Sequence, residues 1–332
     1  MKSRYKIEDL TLKDDSFEEH SRMREIFQKL RSIAMRGKFL SEFEKDFMGT
    51  ALKLSIIDTE SIDDYPILDN YKFKSLYLVY FRDITGGGVY FKHIGQNIYQ
   101  LSPEELKKDL KYLYEKAQEW DIMVNGRSQP NEMMKAAAIE VRRELAILDN
   151  LPENKNDPYA KGRFRYRYKR WAVLLQNKYI YCKSLELFEQ FDPSDFVLRL
   201  NGNEIEITES TIIHVLARHF SQITKQFSTS KSFHNEDFKP DYLTTNLQNI
   251  FNLIDEAAIT LLPTRCIYFL FRNRKYALWI SDKTKAVKGK GEVRYLRIET
   301  FYPLEDQFVL DKISAEGKFH SLNPEVSIYL KD

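Results

Sequence analysis

The chain has 332 residues, 43% of them hydrophobic and 30% charged, with 12 Gly and 10 Pro. This composition suits one large or two ordinary globular domains and excludes disordered and fibrous classes. A net charge of +2 excludes a uniformly polybasic nucleic-acid binder. The first residues lack the apolar stretch of a secretory signal, and apolar runs such as Cys266 to Phe271 fall far short of the roughly 18 residues a membrane span needs. The expectation is a cytoplasmic protein with no membrane partner, in which Cys182 and Cys266, each in an apolar strand-like segment, are buried reduced thiols.

Taken in chain order, Phe17, Met23, Ile26, Phe27, Leu30, Ile33 and Ala34 recur at steps of three and four and predict an amphipathic helix that stops near Gly37. Ser41 with Glu44 has the form of a capping box opening a second helix. Leu76 to Phe81 and Val89 to Phe91 read as strands joined through Thr85-Gly86-Gly87-Gly88, a hairpin. These glycines lead into a strand and lack a following Lys-Ser/Thr, so they are no phosphate cradle. Ser102-Pro103 starts a helix to about Trp120, and another helix covers about Asn131 to Asp149. Asn150 to Pro158 is polar, contains two prolines and has no apolar period, which predicts a linker between an N-terminal domain 1–150 and a C-terminal domain 159–332.

From Arg163 to Lys169 basic and aromatic residues alternate, predicting a strand with Arg163, Arg165, Arg167 and Lys169 on one face. A second strand-like run is Lys178 to Tyr181. Asn201-Gly202 between Phe196–Leu200 and Glu204–Ile207 marks a hairpin. Thr208 or Ser210 then caps a helix through Ile223, and Leu247 to Ala258 forms another. Strands are expected at 267–271, 276–280, 293–298 and 326–330. The fold class is therefore α+β: a helix-rich N-terminal domain with a β-hairpin, and a C-terminal domain of helices packed on an antiparallel sheet.

Charge is unevenly distributed. Ten basic residues between Arg265 and Arg297 face only Asp282 and Glu292, a local excess of eight positive charges. Lys283, Lys285, Lys288 and Lys290 surround a glycine turn ahead of Arg294 and Arg297, and can either form a solvated hairpin tip or follow a phosphate backbone. No metal-ligand spacing is present, nor a Walker loop, dinucleotide fingerprint or nucleophile elbow, so neither metal nor cofactor is expected. His214, Arg218 and His219 interrupt an apolar helix. His219 borders the core, where it is either a hydrogen-bonded core histidine or an imidazole poised for proton transfer. Thr300 and Tyr302 stand at the end of the strand that carries Arg294 and Arg297, and are either a plain aromatic strand terminus or hydroxyls that hold a phosphate.

A helix with His-x-x-x-Arg-His, a second helix, and a sheet ending in Thr300-Phe301-Tyr302-Pro303 resembles the phage- and toxin-associated branch of the barnase, EndoU, colicin and RelE-like ribonucleases, over roughly Asp195 to Gln307. The resemblance implies a metal-independent RNA endonuclease. His219, with His214 as second choice, would be the acid/base residue, and Thr300 and Tyr302 would lie at the scissile phosphate. Arg218 with Arg294 or Arg297 would offset developing charge, and Lys283, Lys285, Lys288 and Lys290 would help hold RNA. No counterpart of a barnase-like catalytic glutamate is evident. The expected context is a toxin or phage-conflict effector with RNA as partner, an inhibitory or phage protein as a second, and a regulatory or delivery role for the N-terminal half. The alternatives are a non-catalytic nucleic-acid-binding module and a protein-interaction component that uses the 14% aromatic content in an interface.

Overall fold

The computed structural model describes residues 3–54, 60–82, 91–94, 97–127, 129–219, 234, 238, 242–261, 265–287, 289 and 291–331. The expected turn at Thr85–Gly88, the helix end at Ile223, and Lys288 and Lys290 lie outside them. The chain divides into two compact units, Met1–Ser128 with Val141–Gln190, and Gln129–Glu140 with Phe191–Asp332. The boundary expected at 150–158 therefore falls inside the first unit. That segment is polar because it forms a tight helical corner, with Asn154 buried and its Nδ2 donating to the Leu148 carbonyl at 2.8 Å.

The first unit is helical. Helix α1 (Phe17–Met35) starts where the Ser16 hydroxyl accepts from the Glu19 amide, and α2 (Glu42–Lys53) starts with the reciprocal Ser41–Glu44 capping box. Ile26, Phe27 and Leu30 of α1 pack with Leu40, Met48, Leu52 and Leu68. Then follow α3 (Asp69–Tyr77), a π turn at Leu78–Arg82, the hairpin β1 (Phe91–Ile94) and β2 (Asn97–Gln100), and α4 (Pro103–Asn125), again opened by a capping box, Ser102 with Glu105. Helices α6 (Pro152–Lys155) and α7 (Phe164–Gln190) complete the set with the second half of α5 (Glu132–Asn150), whose residues up to Glu140 belong to the second unit.

Three strands expected in this stretch are helical instead. Leu76 to Phe81 continues α3 into the π turn, and both Arg163–Lys169 and Lys178–Tyr181 belong to α7. Short aromatic runs do not distinguish a strand from a helix surrounded by protein, and α7 is buried along most of its length by Val173, Leu174, Leu175, Tyr179, Ile180 and Leu187. Its buried polar side chains have partners: Asn177 Oδ1 accepts from Trp120 Nε1 at 2.9 Å, and Glu186 pairs with Lys74, which also binds Asp46 at 2.6 Å.

The second unit is built on a seven-stranded sheet in the order β3-β4-β7-β6-β5-β9-β8. Its strands are β3 (Val197–Leu200), β4 (Asn203–Glu206), β5 (Arg265–Phe271), β6 (Arg274–Val287), β7 (Gly291–Pro303), β8 (Gly317–Ser321) and β9 (Val326–Lys331). The sheet is mixed rather than wholly antiparallel, because β4 pairs with β7 in parallel. The α+β class itself holds. Asn201 and Gly202 take φ of 49° and 73°, the left-handed pair that a two-residue hairpin turn requires. Helix α8 (Glu209–His219) lies along β7, α9 (Leu243–Glu256) along β3, and α10 (Gln307–Glu316) puts Ile313 against Leu304 and Tyr329. Phe238, Phe251, Phe269, Tyr276 and Phe301 are fully buried. No described helix in either unit is long and apolar enough to cross a membrane.

Candidate active site

The site forms on β7 past its parallel pairing with β4, which covers Leu296 and Arg297. Thr211 of α8 donates its hydroxyl to the Ile298 carbonyl, and His234 Nε2 donates to the Phe301 carbonyl at 2.9 Å. The register also shifts here: Trp279 faces Thr300 while Ile280 faces Ile298, so Glu299 is one residue extra on β7. This bulge changes the alternation. Ile298 and Phe301 are both buried, and Thr300 shares the opposite face with Tyr302.

His219, the last residue of α8, meets that face. Its Nε2 lies 3.3 Å from the Thr300 hydroxyl, and its ring stacks on Tyr302 with centroids 5.1 Å apart and planes 20° apart. The Tyr302 hydroxyl in turn accepts from Trp279 Nε1 at 3.2 Å, and Trp279 is 42% exposed. The His219 carbonyl accepts from the His234 amide at 2.7 Å. Burial pushes the His234 imidazole down to about 3, more than its bond to Phe301 restores, so this ring stays neutral at physiological pH.

Behind His219 is a second, separately anchored imidazole. His214 Nδ1 lies 2.9 Å from Glu140 Oε1, and Arg218 Nε donates to Glu140 Oε2 at 2.9 Å. Burial alone would raise the Glu140 carboxyl, but the His214 bond and the Arg218 charge outweigh it and hold it below the ordinary value. An ionised carboxylate only accepts, so His214 Nδ1 donates to it, which fixes the orientation of the ring. The rings of His214 and His219 are 6.1 Å apart and nearly perpendicular. Arg218 Nη2 is buried and has no hydrogen-bond partner among the described residues.

The structure brings His214, Arg218, His219, Thr300 and Tyr302 together, and distributes the expected phosphate-binding residues differently. Arg297 and Lys283 both bind Glu299, at 2.8 and 2.9 Å, as does Ser281. Burial raises the Glu299 carboxyl, but these three partners bring it to about 2. Lys285 pairs with Glu206 and lies over the Tyr295 ring at 4.5 Å. Arg274 pairs with Glu305, and Arg272 with Glu325. Five of the ten basic residues between Arg265 and Arg297 are thus paired with Glu206, Glu299, Glu305 and Glu325, all outside that window. Arg294 is exposed six residues before Thr300, about 20 Å along the strand, too far to join His219 at one phosphate.

Sequence reasoning missed Glu140 and Trp279. Glu140 stands 74 residues before His214, and its only signal is a charge within the apolar run from Ala136 to Val141. Among the described residues no group of three or more His, Cys, Asp or Glu side chains is arranged to hold a metal ion. Chemically, the arrangement offers two anchored imidazoles, a hydroxyl beside one of them and an exposed indole. No family model, curated protein or solved structure matches the chain.

Proposed function

We propose that this protein is a metal-independent RNA endonuclease whose acid/base pair is His214 and His219. The single observation that carries this reading is that two imidazoles 6.1 Å apart are held by different anchors, Glu140 for one and Thr300 with Tyr302 for the other. His214 Nε2 takes the proton of a ribose 2′-OH as the 2′-oxygen bonds to phosphorus. The bond from phosphorus to the 5′-oxygen breaks, and protonated His219 gives its proton to that oxygen, leaving a 2′,3′-cyclic phosphate and a free 5′-OH. The Thr300 hydroxyl supplies a donor to the phosphate oxygens, and Arg218, held behind it on Glu140, contributes positive charge rather than a direct contact. The exposed face of Trp279 suits an unstacked base.

This gives His214, the second choice for the acid/base residue, the open role of general base beside His219, and gives Glu140 the role of orienting that base rather than taking the proton itself. Because Arg274, Lys283, Lys285 and Arg297 are engaged by glutamates, they lend no separate support to a passive polyanion binder. As an effector in a toxin or phage conflict, the protein should halt growth on expression, and His219→Ala should relieve it. The biochemical test is incubation of purified protein with total RNA in a chelator. Wild type should cleave, and His214→Ala and His219→Ala should each lose about 10²–10⁴ in rate. Equal cleavage by all three, or none by wild type, would overturn the proposal.

A further inference from the structure

The first unit presents a basic and aromatic surface that the proposed site does not use. At the start of α7, Arg163, Arg165 and Arg167 are exposed, Phe164 is 82% exposed, and Tyr159 in the preceding turn is 80% exposed. Helical spacing sorts these residues. Phe164 stacks on Tyr168 at 6.2 Å, and Tyr168 meets Trp171 edge-on at 6.3 Å, so positions i, i+4 and i+7 form one aromatic ridge. Arg165 falls on one flank of the ridge, and Arg163 with Arg167 on the other. Arg163 is bound to Asp157 at 2.5 Å, Arg165 lies near Glu153, whose carboxylate is bound to Lys169 at 3.5 Å, and Arg167 makes no ion pair with a described residue. No acidic residue occupies the first turn of α7, so these cations oppose the helix dipole. An arrangement that costs the helix stability and leaves large rings in water is relieved by a ligand with both anionic charge and flat faces.

We infer that this end of α7 docks single-stranded nucleic acid, with bases stacked on Phe164 and the ridge behind it and phosphates against Arg165 and Arg167. Charge complementarity and the ridge together favour this occupant: an acidic polypeptide would satisfy the arginines and leave the rings exposed, whereas a single strand supplies phosphate and base at each step. The inference rests on residues of the first unit and does not require that the protein cleave RNA.

The test uses the full chain and a fluorescein-labelled oligothymidylate of about 12 nucleotides, which lacks the 2′-OH and so cannot report cleavage, with anisotropy read over a range of salt. Wild type should bind. Phe164→Ala should bind about ten-fold more weakly, and Arg165→Gln/Arg167→Gln should bind more weakly with a salt slope shallower by about 0.7 for each phosphate no longer neutralised. Poly-glutamate of matched charge should bind more weakly than the oligonucleotide and be indifferent to Phe164→Ala. Because all three side chains are exposed, thermal melts no lower than that of wild type are expected and check the fold of each variant. Absence of binding by wild type, unchanged binding by both variants, or poly-glutamate bound as tightly as the oligonucleotide would overturn the inference.

Discussion

Replacing Glu140 by Ala removes the one carboxylate between His214 and Arg218. The Arg218 side chain is only 11% exposed, and its charge is left without an ion-pair partner among the described residues. Breaking a buried pair from one side costs about 3–5 kcal/mol. In a protein of this size each kcal/mol moves the melting temperature by about 2–4 °C, so the variant should melt about 10 °C below wild type. Glu140→Ala/Arg218→Met should recover part of the loss, because the uncompensated charge leaves with the arginine; the recovery measures the coupling directly. The pH dependence has a definite sign. Since the folded Glu140 carboxyl lies below its unfolded value, its stabilisation is present above the unfolded value near pH 4.5 and is lost as the pH falls through the folded one. Urea unfolding of wild type and the two variants at pH 7 is the assay. A Glu140→Ala variant within about 1 kcal/mol of wild type would refute the view that this carboxylate carries the Arg218 charge.

Thr300→Val deletes the hydroxyl beside His219 Nε2; cleavage should fall about ten-fold with the melting temperature nearly unchanged, and an unaltered rate would remove Thr300 from the site. His234 is neutral in the folded protein with its imidazole pushed down to about 3, so stability is full above the unfolded value near pH 6.5 and declines as the pH falls toward 3. Melts from pH 7.5 to 5 should show a smaller decline for His234→Gln than for wild type, and equal slopes would contradict the assignment. Cys182 is buried as expected, whereas Cys266 is only partly so; burial still pushes the Cys182 thiol up to about 11 and the Cys266 thiol up to about 12. An aromatic disulfide reagent at pH 8 should therefore label neither until denaturant is added, and fast labelling of native protein would count against both placements.

Much of the local structure was legible because it is encoded by contiguous chemistry. Ser41 with Glu44, Ser102 with Pro103 and Glu105, and Asn201-Gly202 each form the cap or turn their residue types require. The α+β class followed from the same signals. Arg163 to Lys169 misled because seven alternating residues read as a strand, whereas the run of buried positions continuing to Leu187 sets the helix. His219, Thr300 and Tyr302 could be named because each is polar at the end of an otherwise apolar element, although the bulge at Glu299 that puts Thr300 and Tyr302 on one face leaves no mark in the sequence. Glu140 escaped because nothing local links it to His214, and the expected boundary assigned it to the other half of the chain. The basic segment looked like a phosphate-binding surface because its acidic partners, such as Glu206, are supplied by pairing across the sheet.

The central claim is that two separately anchored imidazoles exchange protons with one phosphodiester. It is tested most directly by the pH–rate profile of RNA cleavage in a chelator for wild type, His214→Ala and His219→Ala. A bell-shaped profile for wild type, with a large drop in rate and the loss of one limb in each variant, is the predicted result. Three profiles of the same shape and height, or no cleavage by wild type at any pH, would contradict the account.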